Sequence, residues 1–148
     1  MENLSVTFGG KKLKVFFHEF TVSTRKRVEV VDVTLQVEEA VAKSGVKDGL
    51  CLIHAPHATA AIVANENESG LLHDIVKKIE EVFPAGVGYQ HDRIDDNAHA
   101  HLVSTFIGSS RIFPVKNSRI LRGTWQNIFL VEADGPRTRR IIVEVFGE

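Results

Sequence analysis

The run Ile128-Phe129-Leu130-Val131 constrains the fold of this chain more than any other segment. In an extended strand successive side chains leave opposite faces, so Ile128 and Leu130 point one way and Phe129 and Val131 the other. A strand that is apolar on both faces is buried on two sides, by a second layer or by another subunit. Thr138–Phe146 reads the same way, so a sheet covered on both faces is expected.

The remaining segments supply material for the covering layers. Leu4–Phe8 and Leu13–Ser23 read as strands about a turn at Gly9-Gly10-Lys11-Lys12, and Val28–Val33 is β-branched and extended. Gly49–Ala55, Thr59–Ala64 and Ser110–Val115 are strand-like as well, with a turn at Lys116–Ser118 and another at Asp134-Gly135-Pro136. Three helices fit between them. Thr34 is placed to cap Leu35–Ser44, which Gly45 stops. Glu68–Phe83 carries Leu71, Leu72, Ile75, Val76, Ile79, Val82 and Phe83 on one face and ends at Pro84. Asn97 is placed to cap Ala98–Ile107, with Gly108 as its C′ residue. The class is α+β with strands in the majority.

A chain of 148 residues, 43% apolar and 25% charged, is expected to form one domain over residues 1–148. A formal charge of -1 gives no global attraction to nucleic acid or an anionic membrane, and no apolar run is long enough to cross a bilayer. Cys51 is the only cysteine, which excludes an internal disulfide and fits a reducing cytoplasm. The first residues, Met1-Glu2-Asn3-Leu4-Ser5, lack the basic and apolar regions of a signal peptide.

The chemistry of the chain is concentrated in its seven histidines. His54 and His57 share one segment; His91, His99 and His101 share another with Asp92, Asp95 and Asp96. Imidazole is the commonest metal ligand and titrates nearest neutral pH, so the cluster suits a metal or an acid–base site. On a helix His99 and His101 diverge by roughly 200° at 3.6 residues per turn. His101 is therefore the expected site residue and His99 a surface or interface residue, with two solvated histidines as the plain alternative. His57 precedes small residues and Thr59, whose hydroxyl suits an imidazole or a phosphate oxygen. His91 lies in a loop, and His57, His91 and His101 together would supply three nitrogen ligands with a position left open. His54 is expected to be a bystander, and His73-Asp74 a solvated pair. Glu132 interrupts the apolar strand and must meet an arginine, a metal ligand or an interface; Arg137, Arg139 and Arg140 lie near it in sequence. Trp125 is either core or a stacking wall.

Several segments, taken in order, resemble the YjbQ-type family, often labelled secondary thiamine-phosphate synthases. They are His57-Ala58-Thr59-Ala60-Ala61 with Asn65-Glu66, His73-Asp74, Tyr89-Gln90-His91-Asp92, Asn97-Ala98-His99-Ala100-His101-Leu102, Gly123-Thr124-Trp125-Gln126 and Glu132-Ala133-Asp134-Gly135-Pro136-Arg137. Ala58 stands where the family generally has threonine, and Lys116-Asn117-Ser118-Arg119 lacks the usual glycine. The resemblance implies a strand-dominated α+β fold with a strongly bent, barrel-like mixed sheet and two to three helices, assembled as a homotrimer. It implies a divalent metal, zinc first among the candidates, at His57, His91 and His101, with Asp74, Glu66 and Glu132 as nearby acids. It further implies that Asp74, Glu132 and Arg137 serve catalysis and that Thr59, Asn65, Glu66 and Trp125 bind a small phosphorylated molecule. The reaction attached to the family is condensation of a pyrimidine diphosphate with a thiazole phosphate, releasing pyrophosphate. A metal-dependent hydrolase and a non-enzymatic metal or small-ligand binder are the other readings.

Overall fold

The computed structural model describes residues 3–148. Its elements in chain order are β1 (Asn3–Phe8), β2 (Lys11–Ser23), β3 (Glu29–Asp32), α1 (Thr34–Ser44), β4 (Gly49–His54), β5 (Ala60–Asn65), α2 (Ser69–Val82), α3 (Ala98–Ile107), β6 (Ser110–Lys116), β7 (Arg119–Ile120), β8 (Asn127–Glu132) and β9 (Thr138–Gly147). A short 3₁₀ turn, Gln90–Arg93, precedes α3. The expected α+β class, rich in strand, is what the chain adopts. Instead of one mixed, barrel-like sheet there are two, ordered β1-β2-β9-β4-β6-β7 and β3-β8-β5. Every pairing described is antiparallel, and neither sheet closes.

The two apolar faces of β8 explain this layering. Ile128 and Leu130 join Ile62 of β5, Ile53 of β4, and Ile141 and Val143 of β9 in the main core between the sheets. Val131 and Ala133 turn the other way and pack with Ile79 of α2 and Ala100 and Val103 of α3. All four side chains from Ile128 to Val131 are fully buried, each worth about 1.5–3 kcal/mol against exposure. β9 departs from the expectation. Its buried residues alternate strictly, with Arg139, Ile141, Val143 and Val145 inside, so only one of its faces is covered.

The outer face of the larger sheet is apolar. Register lines up Leu4, Val15, Phe146, Leu50 and Pro114 across five strands, beside a second row of Phe17, Glu144, Leu52 and Ile112. The α2 stripe is also incompletely covered, because Ile79 is its only buried residue and Val82 is exposed.

Two expected caps are replaced for identifiable reasons. Thr34 is the first residue of α1, and its hydroxyl accepts from the Ile128 N–H at 2.9 Å, extending the β3–β8 ladder. Asn97 occupies the cap position of α3 without capping it; Asp92 accepts the Ala98 N–H at 3.0 Å instead. Glu68 caps α2 with both carboxylate oxygens, on the N–H groups of Gly70 and Leu71. These bonds hold its carboxyl below the usual range. Gly45 takes the left-handed conformation at the end of α1, as expected.

Candidate functional site

The C-terminal end of β8 delivers Glu132 into a site with no exposure at all. A carboxylate there must be matched, and Arg139 of β9 matches it: both nitrogens of the Arg139 fork donate to Glu132. Thr24 donates its hydroxyl at 3.0 Å and Asp134 its N–H at 2.9 Å. Burial pushes the Glu132 carboxyl up, but Arg139, the Asp134 N–H and the Thr24 hydroxyl together hold it below the usual carboxylate range. Arg139 also donates to the Thr59 hydroxyl at 2.8 Å. Gly135 lies against this group so closely that a Cβ would stand 2.1 Å from the Lys26 carbonyl oxygen. Glu132 and Thr59 are therefore both buried, bonded to the same guanidinium beneath the surface.

Above that pair runs a polar line ending in two imidazoles. Arg137 donates to Asp134 Oδ2 at 2.9 Å, and the same oxygen accepts from Asn97 Nδ2 at 3.1 Å. The amide of Asn97 is thereby oriented, and its Oδ1 faces His91 Nε2 at 3.1 Å. An amide oxygen only accepts, so Nε2 carries the proton and neutral His91 presents a lone pair at Nδ1. His101, one turn into α3, lies edge-to-face with His91, ring centroids 4.7 Å apart. Asp92 fixes the start of α3 and so the direction of His101. Arg137 is about half exposed, which leaves the outer part of its guanidinium open to a ligand.

His57, the third ligand that the resemblance implies, is bonded to the backbone of β9. Its Nε2 accepts the Arg140 N–H at 2.9 Å. Burial, then the charges of Arg139 and Arg140, keep its ring below the ordinary histidine range. Among the described residues, no three His, Cys, Asp or Glu side chains converge on one metal position. The two imidazoles that do lie together are His91, backed by Asn97 and Asp134, and His101 beside it.

Other expected site residues stand elsewhere. Asp74 is exposed on α2 beside His73 at 3.4 Å, the solvated pair anticipated for them. Asn65 pairs with Asn127, whereas Ala60 pairs with Glu132, so Asn65 and Glu66 lie at the opposite end of β5 and β8 from the histidines. Trp125, 72% exposed, lies at that far end too. Five residue steps at 3.3 Å put the two ends roughly 17 Å apart. One chain therefore does not gather Trp125, Asn65 and Glu66 around His91. At their own end, Asn67 and Asn127 both donate to Asp32 Oδ2, and Arg122 bridges Glu38 and Asn127.

His99 overturns its expectation. It is 4% exposed, buried beneath Arg27, which donates to its Nε2 at 3.3 Å. Burial first, then the Arg27 charge, lower its pKa against the pull of Asp134, Asp92 and Asp96. His54 bonds Ser110 at 2.6 Å and stays outside the site. The sequence pattern marks Asn97 only as a cap and Asp134 only as part of a turn. A capping residue six positions after a histidine was the available signal, but nothing local tied it to Asp134.

Comparison with known proteins agrees over most of the chain. The family described as UPF0047 protein YjbQ-like matches residues 18–148. A UPF0047 protein of Archaeoglobus fulgidus is 51% identical over 126 residues, covering 85% of this chain and 98% of the relative. The UPF0047 protein YugU of Bacillus subtilis is 36% identical, covering 85% and 96%. Among solved structures, a YbjQ-like protein of unknown function from Sulfolobus solfataricus superposes with a TM-score of 0.91 at 56% identity, covering 92% of this chain and 99% of that one. A YjbQ/UPF0047 family protein from Clostridium acetobutylicum gives a TM-score of 0.83 at 36% identity, covering 86% and 98%.

Proposed function

This chain belongs to the UPF0047 YjbQ-like family, and from that premise we propose that it is a metal-dependent transferase acting on a small phosphorylated molecule. The observation that carries the reading is the line Arg137–Asp134–Asn97–His91 with His101 across from it. An exposed guanidinium and two imidazoles with free nitrogen positions suit a phosphate ester, which is anionic and leaves with added charge. Thiamine-phosphate synthesis, in which a thiazole phosphate displaces pyrophosphate from a pyrimidine diphosphate, is the specific reaction that the sequence resemblance implies.

Each residue of the chain has a definable part. Arg137, steadied by Asp134, binds the departing phosphate. Asn97 holds His91 in the tautomer whose Nδ1 is a lone pair. A divalent metal, zinc first, held by His91 and His101, would supply Lewis-acid neutralisation of phosphate charge. Glu132 and Arg139 keep the end of β8 in place beneath. The open setting of Arg137 also favours a second reading, in which water is the acceptor and the protein is a metal-dependent hydrolase.

The apolar outer face of the larger sheet supports assembly with further copies, for which a homotrimer is the proposed form. Five exposed large apolar side chains on that face, Leu4, Phe17, Leu50, Ile112 and Phe146, exceed the scatter expected of a monomer surface. A cytoplasmic location belongs to the same reading, and no helix is long and apolar enough to cross a membrane.

The test is metal content by plasma mass spectrometry together with pyrophosphate and phosphate release. His91→Ala and His101→Ala should each lose bound zinc and turnover while keeping their circular dichroism. Unchanged zinc in both would overturn the metal reading. Phosphate release without any coupled product would favour the hydrolase. Light scattering should give three times the chain mass, and a monomer would refute the assembly.

A further inference from the structure

A cavity lies beside α3 on the side of His99, away from His101. It encloses about 230 Å³, walled by the apolar side chains of Val28, Ile79, Phe83, Val103 and Ala133. Its polar wall is His99, with Arg27 above it. Guanidinium only donates, so Arg27 fixes His99 Nε2 as the acceptor, and the neutral ring must carry its proton on Nδ1. That Nδ1–H is buried and has no acceptor among the described residues. An N–H donor left so is unfavourable, and the group it lacks is an acceptor.

Arg27 points to the charge of that acceptor. His99 is the only hydrogen-bond partner of its guanidinium among the described residues, so donors remain for an anion. The apolar walls call for an apolar body. Glu80 at the same cavity disfavours a second negative charge, which separates this ligand from a phosphate ester. We propose that this cavity binds a small monocarboxylate with an apolar body, its carboxylate held by Arg27 and the Nδ1–H of His99, a site distinct from the His91–His101 line.

Benzoate is a suitable probe, titrated into the full-length protein by calorimetry and by ¹⁵N-resolved NMR, with benzyl alcohol and benzyl phosphate beside it. Saturable binding at one benzoate per chain is expected, with shifts centred on His99, Val103 and Ala133. Arg27→Gln, at an exposed position, should weaken benzoate about tenfold through loss of a charge-assisted hydrogen bond. Ala85→Phe, also exposed at the cavity, should block it while leaving the fold unchanged. Benzyl alcohol should bind at least tenfold more weakly than benzoate. Absence of saturable benzoate binding would overturn the proposal, as would equal affinity in Arg27→Gln. Benzyl alcohol binding as tightly as benzoate would show an apolar hole with no anion receptor. Tighter binding of benzyl phosphate would also refute it.

Discussion

Replacing Arg139 by methionine isolates what the buried end of β8 costs and returns. Arg139 and Glu132 are 4% and 0% exposed, and the guanidinium makes two bonds to the carboxylate and two to Thr59. In Arg139→Met the carboxylate keeps only the Thr24 hydroxyl and the Asp134 N–H. Breaking a buried pair from one side generally costs about 3–5 kcal/mol. A second route gives a similar figure. The stranded carboxyl escapes its uncompensated charge by taking a proton, and at pH 7 that costs about 4 kcal/mol for a group of ordinary pKa near 4.3. The Thr59 acceptors left behind add about 1 kcal/mol. The protonation route has a signature, since its cost falls by 1.36 kcal/mol per pH unit. The gap between Arg139→Met and the parent should therefore shrink from about 5 kcal/mol at pH 7 to about 2 at pH 5. Urea unfolding at both pH values, at constant slope, measures it. The double variant Glu132→Gln/Arg139→Met should recover part of the loss, because no charge remains stranded. A gap below about 1 kcal/mol at pH 7 would refute the reasoning, and a large gap equal at both pH values would refute the proton uptake.

Other measurements probe separate parts of the structure. Glu132 and Asp134 both have lowered pKa values, so their contribution is complete above the ordinary carboxylate range and is lost as pH falls through their folded values. His57 and His99 also have lowered pKa values, so the urea midpoint should begin to fall as pH drops through the ordinary histidine range near 6.5. It should fall further below about pH 4. A midpoint flat down to about pH 4 would contradict the histidine shifts, and no further drop below about pH 4 the carboxylate ones. Asn117 and Ser118 both have positive φ, 52° and 63°, and Ser118→Gly should raise stability by about 0.5–1 kcal/mol in a thermal melt. Leu130→Ala should cost about 2–5 kcal/mol, the range for emptying a fully enclosed aliphatic site. In Asn97→Leu, ¹⁵N spectra of the imidazoles should show His91 losing its single Nε2–H tautomer; retention of that tautomer would remove Asn97 from its assigned role.

Local patterns carried most of the fold. The helical stripe and Pro84 marked α2, the doubly apolar run marked β8, and glycines marked the ends of α1 and the first hairpin. Pairing order was not legible, because antiparallel partners such as β2 and β9 lie over a hundred residues apart and their register emerges only from packing. The same limit governs the site. Helix geometry separated His99 from His101 correctly, but it could not say which side of α3 faced the core. The apolar run around it marks Glu132 as needing a partner, and Arg139, across the turn between β8 and β9, is that partner. Asn97 looked like a cap since Asn favours that position. Its actual bonds go to His91 and Asp134, and only the fold brings Asp134 within reach.

The strand β8 also acts as a ruler. Glu132 and Trp125 flank it at opposite ends, and a hydrogen-bonded strand held between two neighbours does not shorten. If the proposed assembly sets the Trp125 end of one chain beside the His91 end of another, a small ligand touching both would be shared by two chains. In that arrangement a His91 variant and a Trp125 variant, each inactive alone, would rescue one another when co-expressed, since some mixed sites would unite two intact halves. Two variants at the same end would never do so. The distance along one strand thus becomes a pattern of genetic complementation.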